Sequence, residues 1–400
     1  MRISTNTIFD SNIAALNQQQ ARLLQTQQQI ASGRRILTAS DDPVAAARAL
    51  EINQSDAINS QYAANRTAAR HTLSLAESSL QSVTSLLQDV QTATINADNG
   101  TLNSGDRKTI ATELSGRLQE LIGLANSTDG AGNYLFAGFQ SRTQPFVDTA
   151  AGVGYFGDDG QHNVQVSATR QMAASDSGAD VFMRVKNGNG TFVTQAATTN
   201  TGTGVISLGS VTNPAALVAG NSYTISFSVA AGVTSYTVTG APTALAPAMA
   251  NIPYVSGQAI SFDGMQLDIQ GAPANGDTFT VAPSTNESIF KTISDLIAAL
   301  NVPVVGASLT ASLNRGLNNL DNALNNVLTV RSSLGLRLNE IDALQTTGDD
   351  LGLQFKQTLS QLQDTDYNKA ISDLTQQQMG LQAAQKSFVK VADLSLFSYL

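Results

Sequence analysis

Two stripes with the same helical spacing stand at opposite ends of this chain. Near the start, Ile13, Leu16, Gln20, Leu23, Gln27 and Ile30 recur at alternating steps of three and four. Near the end, Tyr367, Ile371, Leu374, Gln378, Leu381, Gln385 and Phe388 do the same. Such steps keep a stripe on one helix face, the seam of a coiled coil. Glutamine dilutes both seams, and a buried amide needs a polar partner. The pattern predicts terminal helices that fold fully only against neighbours. It points to an assembly subunit rather than an enzyme.

Between these ends the period changes twice. From about Asn6 to Ser127 it is helical, with a break at Ser32-Gly33. A second helix is announced by Asp41-Asp42-Pro43, where Asp42 suits the N-cap and Pro43 the first helical position. Its later half carries Leu73, Ala76, Leu80, Val83, Leu87, Val90 and Thr94 at seam spacing, and a third helix opens near Asp106. From about Tyr134 to Val281 the period is two, as in Tyr223, Ile225, Phe227 and Val229. Gly232 suggests a hairpin into Val233–Val238, and Asn275-Gly276 a turn into Thr278–Val281. Gly188-Asn189-Gly190 reads as a turn between strands Val181–Lys186 and Thr191–Thr194.

Helices resume near Glu287. Leu313, Leu317, Leu320, Leu324, Val327, Arg331, Leu334, Leu338 and Ile341 hold the three-four spacing, with a break expected at Thr347-Gly348 and a bend at Asp364-Thr365-Asp366. Arg331 on a leucine seam needs a partner, either solvent at the seam edge or a carboxylate from an N-terminal helix. The expected fold is mainly α with a β-rich insertion: an antiparallel coiled-coil rod built from both termini. Three parts are expected: 1–42 with 365–400 as a terminal coiled coil, 43–145 with 284–364 as a long-helix rod, and 146–283 as an outer β domain.

Composition narrows the function. A net charge of -9 lacks the basic face of a nucleic-acid binder. There is no cysteine, so no thiolate or disulfide chemistry. No segment reaches the length of a membrane span. The N-terminus has no basic region followed by an apolar one, so the expected routes are cytoplasmic residence or export without a cleaved signal. The search for catalytic residues is negative. The two histidines, His71 and His162, form no His-Glu-x-x-His site, and there is no phosphate loop or nucleophile elbow. Asp158, Asp159 and Asp180 do not have the spacing of an EF-hand. No catalytic residue, cofactor or metal ligand is assigned.

Ala31-Ser32-Gly33-Arg34-Arg35-Ile36 followed by Ser40-Asp41-Asp42-Pro43 resembles the N-terminal signature of bacterial flagellins and their relatives. Three further stretches resemble the hook–filament junction branch of that superfamily. They are Gly132–Gly138 continuing to Thr143-Gln144-Pro145-Phe146, Asp364–Tyr367 leading into Ala370–Leu374, and the terminal Leu394–Leu400. The resemblance covers about the first 150 and last 115 residues. It implies a flagellin-like fold, unfolded export through the flagellar type III channel, and a place in the extracellular flagellum. The partners it implies are hook-associated protein 1, flagellin, copies of the chain itself in a ring, and a cytoplasmic export chaperone.

On this reading the assembly residues are Ile13, Leu16, Leu23 and Ile30 at one end, and Ile371, Leu374, Leu381, Phe388, Leu394, Leu396 and Phe397 at the other. Asp41, Asp42 and Pro43 start a helix and fix an elbow. Arg34 and Arg35 are either surface charges or partners for acids of neighbouring subunits. Two rivals stand beside the junction role: the bulk filament subunit, and an adhesin with its site in 146–283.

Overall fold

A computed structural model describes residues 5–302 and 306–393. Leu394, Leu396 and Phe397 lie outside the described residues. Among the described residues there are six α-helices: α1 (Thr5–Ser32), α2 (Pro43–Ala97), α3 (Ser104–Ala125), α4 (Ile289–Asn301), α5 (Ala307–Gln363) and α6 (Tyr367–Asp393). The strands all lie between α3 and α4. Two compact units result, residues 1–64 with 343–400 and residues 65–342.

In the 65–342 unit, hydrophobic burial follows the seams. Leu73, Ala76, Leu80, Val83, Leu87, Val90 and Thr94 of α2 are all buried. On α5 the large apolar side chains that are fully buried repeat every seven residues, at Leu313, Leu320, Val327, Leu334 and Ile341. Asn103 caps α3, accepting from the backbone of Gly105 and Asp106 while Asp106 reaches back to the Asn103 amide. Phe136, Phe146, Phe182 and Phe290 are fully buried together, with ring centroids 5.1–5.9 Å apart.

Arg331 is bound as the seam requires. Its Nη2 donates to Glu77 Oε1 at 2.7 Å, its Nε to the same oxygen at 3.0 Å, and its Nη1 to Thr84 Oγ1 at 3.2 Å. A carboxylate from the second helix therefore supplies the partner. A hairpin of strands Asn163–Ser167 and Arg170–Ala173 ties α2 to α5. Asn65 and Arg66 donate to the Gln165 and Val166 carbonyls, Arg337 donates to the Ala173 carbonyl, and Arg170 grips both oxygens of Glu340.

Residues 192–283 form a β sandwich. One sheet has the order Met249–Pro253, Val233–Ala241, Ser222–Ala230, Thr278–Pro283, Phe192–Ala196, all antiparallel. A smaller sheet of Ala259–Phe262, Met265–Gln270 and Val205–Ile206 contributes to the same core. Strict alternation sends Tyr223, Ile225 and Phe227 inward. The hairpin turn falls at Ala231-Gly232, both at positive φ (51° and 80°), as a two-residue turn between twisted strands requires.

The chain enters and leaves this sandwich through a two-stranded ribbon, Val185–Lys186 paired with Asn286–Glu287. Asparagines of α5 hold the entering strand by its main chain. Asn326 donates to the Asp180 and Val181 carbonyls, Asn322 to those of Lys186 and Gly188, and Asn318 to Gly188. Asn319 accepts from the Gly188 amide at 3.0 Å and donates to Glu287 Oε1 at 3.1 Å.

Two expectations are corrected. The helix does not break at Thr347-Gly348; α5 continues to Gln363. Gly348 is buried within it, and its carbonyl accepts from Asn59 Nδ2 at 2.7 Å. Val181–Lys186 is not one strand. Ala179–Met183 is a π-helical turn, and only Val185–Lys186 is extended. Gly188–Gly190 still turns, held by Asn189 Oδ1 accepting from Thr191 and Phe192, but the strands on either side pair elsewhere.

Candidate assembly site

The unit containing both termini pairs α1 with α6. Among the half-buried and buried positions of α1, Leu16, Gln19, Leu23, Thr26 and Ile30 keep three-four spacing. Among those of α6, Ala370, Leu374, Gln377, Leu381, Ala384 and Phe388 do the same. They share Leu16, Leu23, Ile30, Leu374, Leu381 and Phe388 with the sequence reading, but the alternate positions are shifted by one residue. Gln20, Gln27, Gln378 and Gln385 face solvent. Ile13 and Ile371 sit on the flanks, 38% and 53% exposed. Small residues draw the helices together. A Cβ placed on Gly380 would come within 2.6 Å of Gln19 Nε2. Phe9 meets Phe388 with centroids 5.0 Å apart. Gln377 Oε1 is buried and finds no hydrogen-bond partner, the weakness expected of an amide on a seam.

Burial in this unit is sparse. Among the described residues, the side chains reaching full burial are Thr26, Ala45, Ala49 and Ala370. No leucine, isoleucine, valine or phenylalanine joins them, whereas Phe9, Leu24, Val44, Leu50, Ile58, Leu353 and Met379 are 45–73% exposed. At about 25 cal/mol per Å² of apolar surface, a unit with so little buried has little to hold it together alone.

The elbow after α1 is built from backbone pairing across the chain. Gly33, at φ 69°, ends α1, and its carbonyl accepts from Thr365 at 2.9 Å. Arg34 and Asp364 form an antiparallel bridge. Arg35 donates its amide to the Gln363 carbonyl at 2.6 Å and its Nη2 to the Leu362 carbonyl at 2.8 Å. Its guanidinium also lies 3.5 Å from Asp42. Both arginines are exposed. Asp41 accepts from the Leu37 and Thr38 amides and from Gln25 Nε2. The Thr38 amide, aided by that of Leu37, holds its carboxyl below the usual aspartate range. Asp42 Oδ1 accepts from Ala45 at 3.0 Å, and Pro43 opens α2. The sequence flagged Gly33 and Asp364–Asp366 separately; only folding shows that they pair.

The acids considered for calcium are engaged otherwise. Asp159 and Asp180 both bind Arg184, and Asp158 accepts from the Phe139 and Gly160 amides.

A family model described as the bacterial flagellin N-terminal helical region matches residues 3–141. Another, the bacterial flagellin C-terminal helical region, matches residues 317–400. The chain belongs to the bacterial flagellin family. Within that family, the flagellar hook-associated protein 3 of Salmonella typhimurium is 31% identical over 402 residues, covering 99% of each chain. Among solved flagellin-family structures, the flagellar hook-associated protein 3 of Legionella pneumophila superposes with a TM-score of 0.74 at 35% identity, over 78% of this chain and 98% of that one. The FlgL structure from Xanthomonas campestris gives a TM-score of 0.71 at 30% identity, over 77% and 99%. Those relatives are flagellar parts of the hook-associated kind. The flagellin-family frame thus places the sparse helical unit in the regions that the two family models match.

Proposed function

We propose that this chain is a structural subunit of the bacterial flagellum that joins the distal end of the hook to the filament. The observation that carries this is the α1–α6 unit, which pairs its helices but, among the described residues, buries no large apolar side chain. Such a unit gains its stability from neighbours, and its full-length relatives are hook-associated proteins. Leu16, Leu23, Ile30, Leu374, Leu381 and Phe388 form the inner seam. Ile13 and Ile371, exposed on the flanks, face the next subunit, as do Arg34 and Arg35. Leu394, Leu396 and Phe397 extend the C-terminal contact. Asp41, Asp42 and Pro43 set the angle at which each subunit enters the layer.

The chain leaves the cell unfolded through the flagellar type III channel, after a cytoplasmic chaperone has held its C-terminal helix. A ring of copies then seats between hook-associated protein 1 and the first flagellin subunits.

The test is a strain lacking the gene, with hooks imaged by electron microscopy and flagellin assayed in the medium. Intact bare hooks with abundant flagellin outside the cells are expected. Bare hooks with no flagellin anywhere make this chain the filament subunit itself. Normal filaments reject both.

A further inference from the structure

Asparagine is chemically labile, and most so before glycine, whose bare Cα leaves its own nitrogen unhindered. The chain holds such pairs at Asn99-Gly100, Asn187-Gly188, Asn189-Gly190 and Asn275-Gly276. By sequence all of them are plain turn signals. The structure separates one from the rest.

The atom that attacks is the glycine main-chain nitrogen, and in three pairs its hydrogen is engaged. The Gly188 amide donates to Asn319 Oδ1 at 3.0 Å, the Gly190 amide to the Asn187 carbonyl at 3.3 Å, and the Gly276 amide to the Phe227 carbonyl at 2.9 Å. The nitrogen that would leave is also tied at Asn187 and Asn189, by Thr285 Oγ1 and the Gly209 carbonyl. Asn275 is fixed across the sheet by the Val229 amide, which donates to its Oδ1 at 3.1 Å. Reaction at these sites must first open hydrogen bonds that fasten the β module.

Asn99-Gly100 lies between α2 and α3, and both residues are exposed. Exposure alone does not single them out, since Asn275 and Gly276 are exposed as well. The difference is that the Gly100 amide donates to no acceptor among the described residues. A Cβ added to Gly100 would meet nothing within 4 Å, so that side of the residue faces open space. The carboxamide is prepared for attack. Asn99 Oδ1 accepts from the Thr101 amide at 3.1 Å and from Thr101 Oγ1 at 2.9 Å. These bonds are local to the turn and move with it. They also aim two donors at the oxygen on which negative charge develops when Cγ is attacked.

We propose that the folded chain modifies itself at Asn99, which loses ammonia and gains a carboxylate through a cyclic imide with Gly100, while the other three pairs are preserved. The Gly100 nitrogen gives its proton to hydroxide and bonds to Asn99 Cγ. The bond from Cγ to Nδ2 breaks, and Nδ2 takes a proton and leaves as ammonia. Water then adds to one of the two ring carbonyls. Breaking the bond from Cγ to the Gly100 nitrogen gives aspartate; breaking the bond from the main-chain carbon gives isoaspartate. In sum, amide and water become acid and ammonia, with nothing oxidised or reduced. Either product adds one negative charge just beyond the C-terminal end of α2, where a helix disfavours it. Isoaspartate also lengthens the main chain between Ala97 and Ser104 by one carbon.

The test incubates the purified full-length chain in mildly alkaline heavy-oxygen water, native and in guanidinium, and maps its peptides by mass spectrometry. In guanidinium all four pairs are expected to convert at comparable rates. In the native chain Asn99 is expected to convert about tenfold or more faster than Asn187, Asn189 and Asn275, with heavy oxygen taken up, because hydrogen bonds hold the other three. Equal native rates at the four sites overturn the proposal. Native conversion of Asn99 about tenfold or more slower than in guanidinium also overturns it, since the fold then protects this pair too.

Gly100→Ala is the second arm. Gly100 has no positive φ and open space beside it, so alanine fits and the melting temperature should stay unchanged. The added methyl crowds the attacking nitrogen and should slow conversion of Asn99 about tenfold or more. An unchanged rate means that Gly100 does not attack, and the proposal fails.

Discussion

Arg331 and Glu77, 254 positions apart, meet at 2.7 Å between α5 and α2, with both side chains mostly removed from solvent. The second carboxylate oxygen of Glu77 is buried without a hydrogen-bond partner. The pair is thus held by the arginine alone. Arg331→Met leaves an uncompensated carboxylate and should cost about 2–4 kcal/mol in urea unfolding. The double variant Glu77→Leu with Arg331→Met should recover most of that loss. If the double variant is as unstable as the single one, packing rather than charge explains the effect.

Gly316 of α5 lies where α4 crosses. A Cβ there would stand 2.3 Å from Leu296 Cδ2, and Leu296 is 1% exposed with little room to yield. Gly316→Val should destabilise by about 1–3 kcal/mol through overpacking. The check is the thermal midpoint of the 65–342 unit followed by circular dichroism; an unchanged midpoint means that α4 shifts freely.

On the α1–α6 seam, Leu23→Ser and Leu381→Ser should lower incorporation into flagella while leaving secretion intact. Gln20→Ala and Gln378→Ala, on exposed positions, should change neither. Each half-buried leucine is worth about 1 kcal/mol, and the loss multiplies over the copies in a layer. In the free chain, amide exchange of residues 5–32 and 367–393 should be far faster than that of Leu80 or Leu320. Strong protection at the termini would falsify assembly-dependent folding.

Asp41 gives the elbow a pH dependence. Its carboxyl sits below the ordinary aspartate value because the Thr38 and Leu37 amides favour its charged form. A depressed value stabilises the fold above the unfolded value of about 3.9, and the gain is lost as pH falls through the folded one. The Leu37 and Thr38 amide signals in NMR should therefore shift with a midpoint below about pH 3.9. In Asp41→Asn that transition should vanish; a midpoint above 4 would contradict the hydrogen bonding.

Much of this architecture is legible in the sequence because apolar residues crowd the seams. Leu73 to Thr94 and the sevenfold repeat from Leu313 to Ile341 leave one helical phase open, and the structure adopts it. The terminal seam is different. From Leu16 onward, the large apolar residues of α1 that recur every seven positions are Leu16, Leu23 and Ile30. The second seam position can then fall three or four residues on with equal spacing. What decides is the partner helix, whose Gly380 leaves room for Gln19. Gly348 misled for a related reason, since a glycine that ends a helix and one carried inside it look alike in sequence. The pairing of Arg34 with Asp364 joins residues 330 positions apart through main-chain atoms, and main-chain atoms leave no signature in side-chain identity.

The asparagines of α5 grip four carbonyls and one amide, and only one side chain, that of Glu287. A joint that reads chiefly main chain is nearly indifferent to what hangs beyond it. Any β insertion entering on a two-stranded ribbon of this geometry would find the same socket. The outer part of such a molecule can therefore be exchanged or rewritten by evolution, or grafted by design, without renegotiating its attachment to the helical shaft.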